Sequence, residues 1–566
     1  MAYKIADNIT SPIGQTTEEN YQAVKQGCSS LAYYTSQWGI PEPFTASIFS
    51  DAQNQWMRQE GLTRFESLVV KSVRQALEGA SLDITGSNVV FILSTTKANV
   101  ELLGTSPEAL YPGESARRIC VTLGIKTKPI VVCNACISGL SAIILAERLL
   151  AQQAYDYAIV TGADVLNRFV ISGFQSFKSM DANACKPFDI ERLGMNLGEA
   201  AATMILSAKP EGEGWAINKG TIRNDAHHIS TPSNKGEGAW RCLMPVVAGT
   251  KVEDLAVVNA HGTATMFMDQ MESVAIERAR LASVPVNSYK GYYGHTLGAA
   301  GVLETILTMH ATDNHTIIGT RGFEELGVSG KIQVSAEHQP TEKHSFVKLI
   351  SGFGGSNAAI LATKEPQAQP TDSSECSPKH IHQTHHVIIT PSSVTIDDIP
   401  YPCDATGKEL LTALYRKEVG DYPKFFKMDM LSRLGFIASE LLLKCEGKER
   451  LAEDEYRAII LFNHSSSLQA DTQYLESIKD DDNYFPSPSL FVYTLPNIVT
   501  GEIAIRNHYH GETSFYILAE EDTGLMRQVQ QTALCDPMTE SMMTGWLDYG
   551  DDTNYKADLY ILETTT

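Results

Sequence analysis

Short apolar runs alternate with longer apolar stretches over the first two thirds of the chain. VVFILST (89–95), PIVVCNA (129–135), YAIVTGAD (157–164) and AATMILS (201–207) are brief, β-branched and bounded by Gly, Asp or Pro, which predicts buried strands. SGLSAIILAERLLAQQ (138–153) and GAAGVLETILTMHA (298–311) are longer and apolar on most faces, which predicts buried helices. This alternation predicts a layered α/β fold. It lapses over residues 365–386, EPQAQPTDSSECSPKHIHQTHH, which are rich in Pro, Ser, Gln and His and read as a linker. The HIHQTHH tail could offer imidazoles to a metal, but no acid or cysteine cluster accompanies it, so a solvated linker is the reading taken. Beyond it, AIILFNHSS (458–466), LFVYTLPNI (490–498) and ADLYILE (557–563) read as strands, and RLGFIASELLLK (433–444) as a helix.

One pattern repeats. Asn134-Ala135-Cys136-Ile137-Ser138-Gly139 opens one apolar helix, and Tyr293-Gly294-His295-Thr296-Leu297-Gly298 opens another. Each puts a reactive side chain three residues before a glycine. A weaker third copy, ending Glu520-Glu521-Asp522-Thr523-Gly524 before LMRQVQQTAL, has Glu521 at the reactive offset. The echo suggests a duplicated half-domain with a third, decayed half appended.

Length and composition then narrow the class. At 566 residues the chain exceeds one core, and roughly 100–200 residues per domain predicts three or four lobes. A hydrophobic content of 43% excludes a mainly disordered chain. No apolar run is long enough for a membrane helix, and MAYKIADNIT lacks a basic region followed by an apolar one, so neither a membrane span nor a secretory signal is expected. A net charge of −22 argues against general nucleic-acid or anionic-membrane binding. The ten cysteines are scattered, with only Cys133 and Cys136 close together. That is no disulfide framework, and it points to a reducing, cytoplasmic setting.

Four segments carry candidate chemistry. Cys136 follows an apolar strand and precedes a helix, where unpaired N–H groups and the helix dipole would favour a thiolate. His261 ends the strand of VVNAHGTATMFMDQMES, with Thr263 and Thr265 offering hydroxyls to an amide-rich ligand arm. Asp269 and Glu272 open the next helix, where a capping role is expected. His295 lies in NSYKGYYGHTLGAAG, after Lys290 and before Glu304. In ISGFGGSNAAILA, Gly352, Gly354 and Gly355 form a turn that can present a backbone N–H to an anion, with Phe353 projecting from it. Each segment has a bland alternative: a buried structural cysteine, a helix cap, a plain β-turn. A cysteine, two histidines and a glycine-rich loop together suit acyl transfer with stabilised negative charge.

In this order, NACISG (134–139), KPFDIERLGMNLGEAAA (186–202), HGTAT (261–265), KGYYGHTLGAAG (290–301) and GFGGSN (352–357) resemble the β-ketoacyl-acyl-carrier-protein synthases, condensing enzymes of the thiolase fold. The resemblance spans about residues 1–364. It implies a layered αβαβα fold of duplicated half-domains, 1–209 and 210–364, then a linker, 365–386, and a non-catalytic, truncated thiolase-like half, 387–566. It implies that Cys136 takes the primer acyl group as a thioester, and that His261 and His295 drive decarboxylation of a malonyl extender. Lys290, with Glu304 as its charge partner, would order the site. The N–H groups of Cys136 and Phe353 would form the oxyanion hole, with Gly354 and Gly355 supporting it and Phe353 as gatekeeper. Thr263 and Thr265 would bond a phosphopantetheine arm.

The resemblance further implies an acyl carrier protein as partner, a homodimer or a heterodimer with a ketosynthase-like chain, and no metal or redox cofactor. Fatty acid and polyketide synthesis are both open, and a silent chain-length-factor-like partner is the alternative to an enzyme. The sequence departs from the family's usual pattern at Asn134, Ile137, Ala264 and Gly198-Glu199-Ala200-Ala201. The region where the family offers basic residues to the carrier is acidic around Glu101, with Arg58 and Arg64 as substitutes.

Overall fold

A computed structural model describes residues 1–365, 380–447, 451–480 and 484–564. Three units share one strand order. In the first, Ala2–Thr10 lies antiparallel to Ala200–Ser207, which lies antiparallel to Tyr157–Asp164, with Val89–Ser94 and then Ile130–Val132 following in parallel. In the second, Gly214–Asn224 pairs with Ser356–Glu365 and that strand with Ser345–Ser351, both antiparallel. Leu255–Asn259 and Pro285–Asn287 then follow in parallel. In the third, Ile381–Thr390 pairs with Asn554–Thr564 and that strand with Ser541–Asp551, both antiparallel. Arg457–Asn463 and Thr513–Ile517 follow in parallel. The architecture is thiolase-like and α/β, and the third unit has the whole strand set of a half. The expected break at 209/210 falls in the connection between Ala200–Ser207 and Gly214–Asn224.

The central strands are buried along their whole length, which accounts for their unbroken apolar runs. Helices Ser138–Ala151 and Ala300–Asp313 occupy the middle layer. The first touches strands of both sheets, and the two helices pack on each other. Their approach depends on glycine: a Cβ at Gly301 would sit 2.2 Å from the Leu140 N, and one at Gly139 would sit 2.9 Å from the Gly298 O. The third unit repeats this helix as Thr523–Ala533, which packs against Ser138–Ala151.

The third unit extends the first unit's sheet. Thr513–Ile517 runs antiparallel to Ile130–Val132, pairing Tyr516 with Val132 and Ile517 with Val131. The Cys133 N–H donates to the Phe515 carbonyl (3.0 Å), and the Phe515 N–H donates to Asn134 Oδ1 (2.6 Å). Buried ion pairs Arg148–Glu512 (2.6 Å) and Lys97–Asp471 (2.7 Å) add charge complementarity across the same contact, and Arg223–Asp536 (2.5 Å) joins the third unit to the second. Such pairs select a docking geometry more than they add stability.

Two sequence expectations are corrected. Residues 366–379 of the expected linker lie outside the described residues, but HIHQTHH is the strand Ile381–Thr390 and not a linker. Its backbone pairs with Asn554–Thr564, while His385 meets Asp397 (2.9 Å) and His386 meets Asp558 (2.7 Å). Composition misled because polar side chains answered by carboxylates suit a half-exposed strand as well as a loop. LFVYTLPNI is not a strand either. It contributes to helices Pro488–Val492 and Ile498–Asn507, because Pro488 and the Ser487 cap start a helical turn. A short apolar run does not by itself separate the two. Among the described residues no helix is long and apolar enough to cross a membrane.

Gly301→Ala should cost about 1–3 kcal/mol through overpacking at the helix crossing. Thermal unfolding checks this, and an unchanged midpoint would mean the helices can separate freely.

Candidate active site

Cys136 sits in a strand–turn–helix corner. Ile130–Val132 ends, Ala135 takes a left-handed φ of 48°, and helix Ser138–Ala151 begins. The Asn134 N–H donates to Ser138 Oγ (2.8 Å), and that hydroxyl donates to the Ala135 carbonyl (2.6 Å), locking the corner. Burial pushes the Cys136 thiol up to about 12, while the Lys290 charge and the N–H groups of Cys136 and Phe353 pull the other way. The expected thiolate is therefore not the resting state: desolvation outweighs the helix dipole. The N–H groups of Cys136 and Phe353 both face Sγ.

His261 lies just after strand Leu255–Asn259. Glu272 accepts from the N–H groups of His261 (2.6 Å) and Gly262 (2.8 Å). Asp269 accepts from those of Thr263 (2.9 Å), Ala264 (3.1 Å) and Phe188 (2.7 Å). These acids go beyond capping, since they clamp the loop that carries the histidine. Burial pushes Asp269 up to about 6 and Glu272 up to about 7.

His295 is held through its backbone: its N–H donates to the Asn196 carbonyl (2.7 Å), and its carbonyl accepts from Gly198 (3.0 Å). Its Nδ1 accepts from the Leu297 N–H (3.3 Å), so the neutral ring carries its proton on Nε2. That Nε2, like Nδ1 of His261, is buried without a protein partner. The rings are edge-on, with centroids 5.1 Å apart, and one ligand atom from each of Cys136, His261 and His295 lies within 4.8 Å of the others. Both imidazoles are held well below their usual range, first by burial and then by neighbouring cations, Lys290 and Lys348 among them. They are neutral at pH 7 and available to donate.

Lys290 and Glu304 meet as expected (2.5 Å), and Lys348 joins them at the other carboxylate oxygen (2.6 Å). All three are buried. Burial acts first on Glu304 and raises it, yet the two ammonium groups together hold it below the usual carboxylate range. The sequence reading missed Lys348, although a lone lysine inside the apolar strand SFVKLIS is a visible signal. It also missed Asp164, which accepts from Thr95 Oγ1 (2.7 Å) and the Gly298 N–H (2.7 Å) and so ties the strand Tyr157–Asp164 to the His295 loop.

A cavity of about 300 Å³ opens onto Cys136, His261, His295, Thr263, Thr265 and Phe353. The threonine hydroxyls lie 3.0 Å apart. Gly354 and Gly355 turn the last loop with φ of 87° and 73°. The Phe353 ring packs against Phe177 (5.3 Å between centroids) and Phe174 (6.1 Å). Exposed Leu193, Met266 and Phe267 line the cavity mouth. Of the two arginines expected to substitute in carrier docking, Arg64 is half-buried, pairing with buried Glu199 (2.6 Å) and reaching Glu101 (3.8 Å), while Arg58 is exposed.

Among the described residues of the third unit, no cysteine and two histidines meet as Cys136, His261 and His295 do. Glu521, two residues before helix Thr523–Ala533, is exposed and paired with Lys556 (2.8 Å). A cavity of about 500 Å³ in that unit is lined by Glu446 and Arg457, which already pair with each other (2.6 Å). Among the described residues, His385, Asp397 and Cys445 form a second set of metal-type donors within 4.8 Å, and Asp397 is exposed.

Residues 8–211 match the family model described as beta-ketoacyl synthase, N-terminal domain, and residues 215–324 match that of the C-terminal domain. A Rhizobium meliloti 3-oxoacyl-[acyl-carrier-protein] synthase 2 is 32% identical over 252 residues, covering 41% of this chain and 59% of the relative. The Vibrio cholerae protein of that name is 26% identical over 402 residues, covering 62% of this chain and 96% of the relative. A solved structure described as PfaC keto synthase-chain length factor superposes with a TM-score of 0.78 at 14% identity, over 100% of this chain and 78% of that one. The Xenorhabdus doucetiae ketosynthase solved with its chain length factor superposes with a TM-score of 0.55 at 24% identity, over 64% of this chain and 98% of that one.

Two predictions test the electrostatics. Below pH 6.5 the unfolded chain takes up protons that buried His261 and His295 refuse, so each costs about 1.4 kcal/mol of stability per pH unit. Asp269 and Glu272, raised when folded, act with the opposite sign over the same range. His295→Asn should therefore gain stability relative to wild type between pH 6.5 and 5, read by denaturant titration. An equal difference at both pH values would sink the idea. Glu304→Gln strands two buried ammonium groups and should destabilise more than Lys348→Met, which leaves one intact pair; about 3–5 kcal/mol is expected for the first. Denaturation of the two variants side by side decides the order.

Proposed function

The chain belongs to the beta-ketoacyl synthase family, and on that premise we propose that it is a condensing acyltransferase joining an acyl thioester to malonyl-acyl carrier protein with loss of CO₂. The observation that carries the reading is one buried thiol beside two neutral imidazoles whose ring nitrogens lack protein partners, at the end of an open cavity.

In the first half-reaction the Cys136 sulfur attacks the carrier-bound primer. The carbonyl oxygen gathers charge between the N–H groups of Cys136 and Phe353, and the thiol proton leaves with the carrier's thiol. In the second, a malonyl thioester oxygen accepts hydrogen bonds from His261 and His295. The C–CO₂ bond breaks and its electron pair forms the enolate; the enolate carbon attacks the acyl-cysteine carbonyl, the C–S bond to Cys136 breaks, and the sulfur leaves as a thiolate that takes a proton from solvent, giving CO₂ and a β-ketoacyl product on the carrier. Neutral donors serve this step better than cations, because a protonated imidazole would bind the malonyl carboxylate and hold the CO₂ in place. The chemistry is complete with these side chains and the two thioesters, and calls on no metal or redox cofactor.

Thr263 and Thr265 suit the amides of a phosphopantetheine arm, and the apolar mouth at Leu193, Met266 and Phe267 suits the carrier that delivers it. The third unit serves in cis as a chain-length-factor-like partner. Behind Cys136, Phe174, Phe491 and Leu495 wall a narrow space, and the Phe491 ring rests on Gly173 so closely that a Cβ there would fall 2.1 Å from it. A growing acyl chain would run into that space, so Phe491 bounds its length. Fatty acid and polyketide extension share this chemistry, and a separately encoded ketosynthase-like partner is not required for it.

Intact mass after incubation with acyl-carrier protein should show one acyl adduct on wild type and none on Cys136→Ala, with release of β-ketoacyl product once malonyl-carrier protein is added. An adduct surviving Cys136→Ala would place the nucleophile elsewhere, and no adduct with any primer would favour a silent subunit. Phe491→Ala should shift the longest accepted primer upward by at least two carbons, and an unchanged product profile would remove Phe491 as the boundary.

A further inference from the structure

The third unit touches the catalytic loop directly. Asn497, which precedes helix Ile498–Asn507, donates from Nδ2 to the Phe353 carbonyl (2.9 Å). One turn on, Gly501 lies against the next residue of that loop: a Cβ there would sit 2.5 Å from the Gly354 O and 2.8 Å from its Cα. Residues four apart share a helix face, so Asn497 and Gly501 meet the consecutive peptides on either side of the Gly354 Cα from the same side. Gly354 is also in the left-handed region, and a Cβ on it would lie 2.8 Å from Asn497 Nδ2. The loop's own unit, the second, supplies different contacts: the Gly354 N–H donates to the Ile229 carbonyl (2.7 Å), and Asn224 Nδ2 donates to the Gly354 carbonyl (2.8 Å). The Phe353 carbonyl is thus held by the third unit, while the Phe353 N–H points at Cys136 Sγ.

We propose that helix Ile498–Asn507 anchors the gate loop, with Asn497 fixing the Phe353–Gly354 peptide and Gly501 backing Gly354 behind it, so that the Phe353 N–H stays aimed at the acyl group on Cys136. Asn497 is a positioning residue: it touches neither substrate nor Sγ and acts through the peptide it holds. The ring side of the gate is tied to the same unit, since Phe174 and Phe177, which pack on Phe353, also pack on Phe491 (5.4 and 6.2 Å). A unit without a nucleophile thereby contributes to the oxyanion hole of another. Loop opening for the extender would require this hydrogen bond to break, so the third unit sets how readily the gate moves. The proposal rests on the condensing-enzyme reading for its kinetic consequence but not for its structural one.

The test uses the full chain, with Asn497→Leu, which keeps side-chain size and removes the donor, and Lys128→Ala as a comparison. Lys128 pairs with Glu520 (2.8 Å) and Asp522 (2.7 Å) across the same inter-unit contact, away from the gate. Hydrogen–deuterium exchange of the segment 351–357 is read first. It should speed up about tenfold in Asn497→Leu, the effect of losing one hydrogen bond, and stay unchanged in Lys128→Ala. Exchange in Thr513–Ile517 should be unchanged in both, which separates loop release from loss of docking. Single-turnover acylation of Cys136 is read second. Its maximal rate should fall about tenfold in Asn497→Leu, with the half-saturating carrier concentration changed less than about twofold, because the arm's binding residues are untouched. Unchanged exchange in 351–357 would overturn the anchor, whatever the acylation shows. Faster exchange with an unchanged acylation rate would overturn the claim that the anchor aims the N–H. If wild type takes no acyl group, the condensing reading fails, and the exchange result still decides the anchor.

Discussion

The pairing of Ile130–Val132 with Thr513–Ile517 is two residues long in strict register, yet the active corner hangs from it. A strand this short, at the limit of its own sheet, leaves backbone donors and acceptors that must be answered. The third unit answers them. The Cys133 N–H meets the Phe515 carbonyl, and the Phe515 N–H meets the Asn134 side chain, one residue before the left-handed turn at Ala135. The corner that presents Cys136 is therefore held on one side by its own helix and on the other by a different unit. Buried Arg148, Arg223 and Lys97, each opposite a carboxylate of that unit, make other docking geometries costly by leaving charge unpaired.

Charge placement explains why two histidines so close together can work as donors. Lys290 and Lys348 share Glu304, which leaves an excess of positive charge in a dry region. That excess and burial both resist protonation of His261 and His295. Glu272 and Asp269 approach from the other side, but they act on the loop backbone and not on the rings. The result is a pocket whose hydrogen-bond donors are preorganised and uncharged. In the proposed reaction, such donors would meet a developing enolate without binding the departing carboxylate.

The third unit shares the architecture of the first without its cysteine corner. It keeps the strand order and the central helix, because these build the contact with the first unit. It gives up the reactive position, where Glu521 sits in solvent against Lys556. What it directs at the catalytic half is helix Ile498–Asn507 with its preceding asparagine, and Phe491 behind the nucleophile. A fold can lose its own chemistry and retain a role in a neighbour's, because the surfaces that make it dock differ from the residues that react.

Much of this was legible in the residues. Val89–Ser94 and Tyr157–Asp164 are buried on both faces, so burial alone imposed their apolar runs, and the spacing around Cys136, His261 and His295 marked turns between strands and helices. Lys348 and Asp164 were not recognised, since a single polar residue in an apolar strand acquires its meaning only from a partner far along the chain. HIHQTHH and LFVYTLPNI were misread because local composition competes weakly with long-range pairing and with a well-placed Ser-Pro helix start. The thiol's state was misjudged for the same reason: a sequence shows the helix that follows Cys136 but not the depth at which it is buried. By itself, then, the sequence determined the repeated strand–helix pattern and the turns that carry Cys136, His261 and His295, which depend on neighbours within a few residues. The tertiary structure alone decided that a distant half-domain closes the sheet at the nucleophile and holds its gate, because hydrogen bonds, burial and charge act across space and carry no signature in local order.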